Sequence, residues 1–303
     1  VREQPPYTEE LERFVFGPKE PPPDPLDTRR AILAEIRAGK GRVGLADVMR
    51  ITGQTRSEID PLMSQLLVEY DGSVEVSDDG GISYRFQALR KTADDDEMLA
   101  RRPPIWTEQA SAPPVTGNGM GANLAIGALN AFNLLAAWWC IAQGLTIERL
   151  FALLGDLPPE SVPAPGLPIA LGVVPLVFSI VLFALPLLRA LWRRRAVRAA
   201  KRENGRRALL ETVLSTARAG ETVAESTLVE RYRIAAGIEP KAEEIQHHMV
   251  DLGGDVDLEG VERGAIRYRF PDLELEARAV AAEREAAAEA EAHPGAVVFS
   301  TAD

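Results

Sequence analysis

The stretch LPIALGVVPLVFSIVLFALPLLRALWRRR, residues 167–195, decides how this chain is read. From Leu167 to Leu188 it carries no charged side chain. As a helix that segment spans about 33 Å, one hydrocarbon thickness. It then leaves through Leu191-Trp192-Arg193-Arg194-Arg195. A tryptophan followed by an arginine cluster is how a spanning helix exits a bilayer, whereas a soluble core helix is shorter and has no such exit. Upstream, residues 109–147 also lack Asp, Glu, Lys and Arg, and 123–145 are mostly apolar. The sequence therefore predicts a transmembrane hairpin over 120–192, with spans at about 123–145 and 167–190 and an outer loop at 146–165.

Charge sets its orientation. Arg193, Arg194, Arg195 and Arg198 lead a basic juxtamembrane segment, 193–205, while the loop holds only Arg149 against Glu148, Asp156 and Glu160. The positive-inside rule puts the loop outside and both flanks in the cytoplasm, as in a bacterial inner-membrane protein. The arginines also suit anionic lipids, and Trp106 and Trp192 read as interfacial anchors. In the loop, Ile147, Leu150, Phe151 and Leu154 share one face, which predicts a short interfacial helix.

Amides mark the first span. Asn123, Gly127, Asn130 and Leu134 follow helical spacing with Asn133 beside them, and the second span offers Gly172, Pro175, Ser179 and Pro186. An amide in hydrocarbon needs a partner, and small residues let backbones approach. These stripes predict packing of the hairpin on itself or on a second copy. A small oligomeric channel lined by Asn123, Asn130 and Asn133 is the alternative. With no charge inside either span, an ion-coupled pump is disfavoured.

The averages of the 303-residue chain (46% hydrophobic, 26% charged, net charge -11) blend these runs with acidic flanks. One cysteine, Cys140, excludes an intrachain disulfide and a cysteine zinc site, and three histidines argue against a His-rich metal site. No phosphate-binding glycine loop, nucleophile elbow or helical His-Glu-x-x-His is present. No cofactor and no enzymatic activity are expected. The chain begins at Val1, which points to an upstream segment, and a targeting sequence fits there.

The flanks resemble one another. Arg29-Arg30-Ala31-Ile32-Leu33 recurs as Arg206-Arg207-Ala208-Leu209-Leu210, and Ile82-Ser83-Tyr84-Arg85-Phe86 as Ile266-Arg267-Tyr268-Arg269-Phe270. Each copy reads as helix, short helix, helix, hairpin. In the first, Asp27 is placed to cap a helix over 28–38, and Thr55-Arg56-Ser57-Glu58 is a capping box opening the third helix. Asp78-Asp79-Gly80-Gly81 is a hairpin turn. The second copy predicts helices over 206–219, 225–234 and 241–252 and strands over 256–258 and 265–270. This order is that of a winged helix, at 26–90 and 206–276.

A winged helix suggests DNA, yet the surfaces that would face it carry more acid than base. Arg56 stands with Glu58, Asp60 and Glu69, and Lys241 with Glu243 and Glu244. Phosphate neutralisation needs the reverse, so nucleic acid is disfavoured and an unidentified protein partner favoured. The remaining segments are an N-terminal arm (1–25), a linker (91–119) with the acidic run Asp94-Asp95-Asp96-Glu97, and a C-terminal helix and tail (277–303). In the tail, Ala296-Val297-Val298-Phe299-Ser300 reads as a strand that adds to a sheet edge.

Phe14-Val15-Phe16-Gly17, the first winged helix, Thr116-Gly117-Asn118 with Asn123, and Leu129-Asn130-Ala131-Phe132-Asn133-Leu134 follow one another in an order that resembles a membrane protein family. Its members are bacterial, with chloroplast relatives sometimes labelled iron–sulfur-cluster biosynthesis proteins. The resemblance covers most of the chain on structural motifs. Where the family has an Asp-Gly-Asp-Pro-like turn after Phe-Gly, this chain has Pro18-Lys19-Glu20-Pro21. The resemblance implies no site residue here, and a lone cysteine cannot hold a cluster. The fold expected is a mainly α membrane protein, a two-helix transmembrane hairpin flanked by two winged-helix-like α+β domains. The function expected is a self-associating scaffold or adaptor, with a membrane-tethered transcription regulator as the rival.

Overall fold

In a computed structural model, residues 7–18, 24, 26–89, 101–155, 158–257 and 266–292 are described. The acidic run at 94–97, most of the second hairpin's connection and the strand expected at 296–300 lie outside them. The chain divides into two compact units, one from residues 1–22 and 111–199, the other from 23–110 and 200–303. It is mainly helical, with two helices long and apolar enough to cross a membrane.

The first unit holds helix α1 (Tyr7–Phe16), and later in the chain α5 (Met120–Ala142), the short α6 (Ile147–Leu154) and the apolar part of α7 (Val174–Ala219). A π-helical turn, Ile169–Val173, leads into α7. In the most apolar window of each long helix only 17% is buried. A core helix of a soluble protein has most of its apolar surface covered; here Phe132, Trp138, Phe178 and Leu187 stand exposed.

The second unit begins with α2 (Asp27–Ala38), β1 (Arg42–Val43), α3 (Leu45–Thr52), α4 (Arg56–Glu69), β2 (Gly72–Val76) and β3 (Ile82–Phe86). The strands form an antiparallel sheet in the order β1-β3-β2, with Arg42 opposite Arg85 and Val74 opposite Tyr84. After the last turns of α7 come β4 (Val223–Ala224), α8 (Glu225–Ala236), α9 (Ala242–Asp251), β5 (Asp255–Val256) and β6 (Arg267–Arg269), with sheet order β4-β6-β5. Helix α10 (Pro271–Ala292) closes the described chain. Ile32, Ile36, Met49, Ile59 and Phe86 of the earlier elements join Leu209, Leu228, Tyr232, Met249 and Phe270 of the later ones in one continuous hydrophobic core.

Three local expectations change. Asp27 is the first residue of α2 and not its cap; the preceding turn is held by Asp24 Oδ1, which accepts from Leu26 N at 2.9 Å. The second span, the basic segment and the helix expected at 206 are one helix, since α7 runs unbroken from Val174 to Ala219. Gly205 does not end it: a Cβ there would lie 2.4 Å from the Tyr232 ring, so the glycine allows α8 to approach. Finally, part of the expected linker is ordered on the second unit. Ile105 and Trp106 pack against its core, Arg50 Nη1 donates to Arg102 O at 2.8 Å, and Asn204 clamps the Ala110 backbone through both amide atoms.

Candidate functional site

Within the first unit the two apolar helices meet along a stripe. On α5 it runs Ile126, Asn130, Asn133, Ala137 and Ile141, one turn or less apart. On the other strand of the hairpin it runs Gly172, Ser179 and Leu182, all buried. Gly172 permits the close approach, since a Cβ would fall 2.6 Å from Ile141 Cγ1. Asn130 Nδ2 donates to Ser179 O at 3.1 Å and Asn133 Nδ2 to Ser179 Oγ at 2.8 Å. Ser179 thus accepts one N–H from each of two carboxamides, one buried and one part-buried, where an unpaired amide would be costly.

The other stripe residues go elsewhere. Asn123 turns to the preceding loop, donating to Thr116 Oγ1 at 2.7 Å. Gly127 has nothing within 4 Å of its Cβ position, so it leaves an open notch on the uncovered side of α5. At this end of the hairpin Phe14 and Val15 of α1 pack with Ile126 and Leu182.

Among the surface residues, Trp192 is 74% exposed, and Arg194, Arg195 and Arg198 point outward. Arg193 is instead half-buried, with Nε donating to Pro113 O at 2.8 Å. Arg189, nearly three turns beyond Ser179 on the same helix, donates to Val115 O at 3.0 Å and to Val15 O. Trp106 is partly buried and packs against the core of the second unit, where the 101–110 strap folds onto it.

In the second unit, little in the sequence signals what joins its parts. Helix α10 lies over the first sheet and α3. The residue before α3 is Gly44, which has no side chain to cap the helix; Glu276 supplies a carboxylate instead, with Ala46 N donating to its Oε1 at 2.7 Å. At Gly44 a Cβ would lie 2.4 Å from that oxygen, so a side chain there would displace the Glu276 carboxylate from its place. Arg284 bonds Asp47 at 2.6 Å, and Ser83 donates to Glu283. Burial raises the Glu276 carboxyl to about 7, with the Asp47 charge adding to it. An Ala/Glu/Arg composition resembles a solvated face; only the spacing of Leu273, Glu276, Val280, Glu283 and Ala287 distinguishes the packed side.

The exposed positions of α4 and its hairpin are acidic, apolar or neutral polar, and none is basic. Arg56 is engaged by Asp272 at 3.1 Å, while Val68, at 88% exposed, and Val74 and Val76 are open. Beside α9, burial and then the hydrogen bond to Glu244, which accepts from the Tyr232 hydroxyl at 3.0 Å, push that phenol's pKa up. His247 is exposed, 3.4 Å from Asp251, and His248 is half-buried and held below the usual imidazole range by burial.

Cys140, the chain's one cysteine, lies in α5. Among the described residues no three His, Cys, Asp or Glu side chains converge as metal ligands. Comparison with family models, curated proteins and solved structures returns no match.

Proposed function

We propose that the chain is a membrane-anchored, non-enzymatic scaffold. The two apolar helices insert as a hairpin, and two winged-helix-like modules on the cytoplasmic side of a bacterial inner membrane dock a protein partner. The observation that carries this reading is the α4 surface: its basic residue, Arg56, is already paired with Asp272, and none of its exposed positions is basic. Such a face suits a protein surface better than a phosphate backbone. The repeated order of helix, strand, helix, helix and hairpin, twice with the same sheet order, supports the winged-helix reading. The notch at Gly127 supports self-association through α5.

The arrangement is tested by labelling intact cells with a membrane-impermeant maleimide in a Cys140→Ala background. Glu160→Cys is expected to react from outside and Ser226→Cys only after lysis; both positions are exposed. Reaction of both from the same side sinks the hairpin topology. Duplex DNA titrated into the full chain at low salt is expected to give no shift; salt-dependent binding would favour the regulator reading.

A further inference from the structure

A cavity of about 340 Å³ opens where the apolar part of α7 ends, lined by Phe16, Pro113, Pro114, Arg189, Trp192 and Arg193. Two guanidiniums reach it, held by backbone carbonyls: Arg189 by Val115 and Val15, Arg193 by Pro113. A guanidinium has five N–H groups, so three remain on Arg189 and four on Arg193. Among the described residues neither meets a carboxylate. Gly17, at φ +84, leaves room for Arg189, since a Cβ there would stand 3.0 Å from Nη1. The site thus fixes two positive charges without neutralising them, the arrangement that recognises a phosphate. Its rim is apolar: Phe16 and Trp192 are 73% and 74% exposed, and Leu187 and Leu188 directly precede Arg189.

We propose that this pocket holds the phosphate of one anionic phospholipid, with Arg189 and Arg193 as donors and Phe16 and Trp192 against the acyl chains. The exposed aromatics and the preceding apolar helix select a lipid over a free anion, which would leave both rings in water. The site rests on the reading of the hairpin as membrane-inserted and adds to it a defined, stoichiometric ligand.

The full chain in detergent is titrated with phosphatidylglycerol, phosphatidylcholine or inorganic phosphate, and bound molecules are counted by native mass spectrometry. One phosphatidylglycerol is expected to be retained in preference to phosphatidylcholine and to resist millimolar phosphate. Arg189→Gln with Arg193→Gln is expected to weaken retention at least about tenfold, the loss of one hydrogen bond to a charged group. Arg194→Gln with Arg198→Gln makes the same charge change outside the pocket and is expected to leave retention unaltered. Trp192→Ala, at an exposed position, is expected to weaken it without disturbing the fold, and decides the matter if the arginine pair does not purify folded. The proposal is overturned by equal losses in both arginine pairs, by equal retention of the two lipids, by displacement with phosphate, or by unchanged retention in Trp192→Ala. Flotation after carbonate extraction judges insertion separately. Protein that stays in the bilayer without lipid preference defeats the pocket alone, and protein that is extracted defeats the hairpin reading itself.

Discussion

Glu276 shows how far one side chain's environment can depart from its composition. Its carboxyl is buried beside Asp47, with Arg56 the opposing charge, and its raised value of about 7 exceeds the ordinary 4.5. A carboxyl raised on folding favours the folded state fully below the ordinary value, and that contribution is lost as pH rises through 7. The wild-type melting temperature should therefore fall between pH 5 and pH 8 by more than that of Glu276→Gln, whose amide oxygen can still accept from Ala46 N. The difference amounts to about 3 kcal/mol at most. Parallel thermal melts of the two proteins in detergent at both pH values check this; identical slopes would show that the carboxyl is not desolvated.

At the scale of elements, two contacts invite measurement. Ser179 Oγ and Asn133 form a side-chain pair inside the hairpin. A double-mutant cycle with Asn133→Leu and Ser179→Ala should give a coupling of about 0.6 kcal/mol, rising to roughly 1.7 at most. Gly205→Ala sets two effects against each other. Alanine favours a helix by about 1 kcal/mol, but its methyl would meet the Tyr232 ring at 2.4 Å. Overpacking costs about 1–3 kcal/mol, so the variant should melt lower, and a rise in melting temperature would count against the close approach of α7 and α8. Most elements of this kind are legible in the sequence. Thr55 and Glu58 mark the start of α4, where Thr55 N donates to Glu58 Oε2 at 2.7 Å, and the Asp-Asp-Gly-Gly turn joins β2 to β3. The continuity of α7 is not legible, because a glycine's role depends on what approaches it and Tyr232 lies 27 residues away in the chain. The stripe on α5 sits one residue off its expected line: Ile126 and Ala137, which carry no polar signal, complete it, and Gly127 and Leu134 do not.

For the whole molecule, the decisive part is α10. Its Leu273 and Val280 are almost completely buried. Covering two such side chains is worth about 1.5–3 kcal/mol each, before the loss of the Glu276 cap and the Arg284–Asp47 pair. A chain ended at residue 270 should leave residues 26–89 open to trypsin at low enzyme ratios, while the full chain resists. Equal digestion of the two would show that the earlier elements hold together without α10. Little of this organisation can be read from the chain, since charges spaced for a packed face and for a solvated one look alike until their partners are known.

The bond from Ala46 to Glu276 spans 230 positions. A ribosome adding about 5–20 residues per second needs on the order of 10–50 s to cover that distance. Through that interval α3 has been synthesised but its capping carboxylate has not, and both apolar helices emerge in between. Helix α3 therefore gains its cap only after both apolar helices have been synthesised, so the appearance of α10 itself times the moment at which α3 is closed.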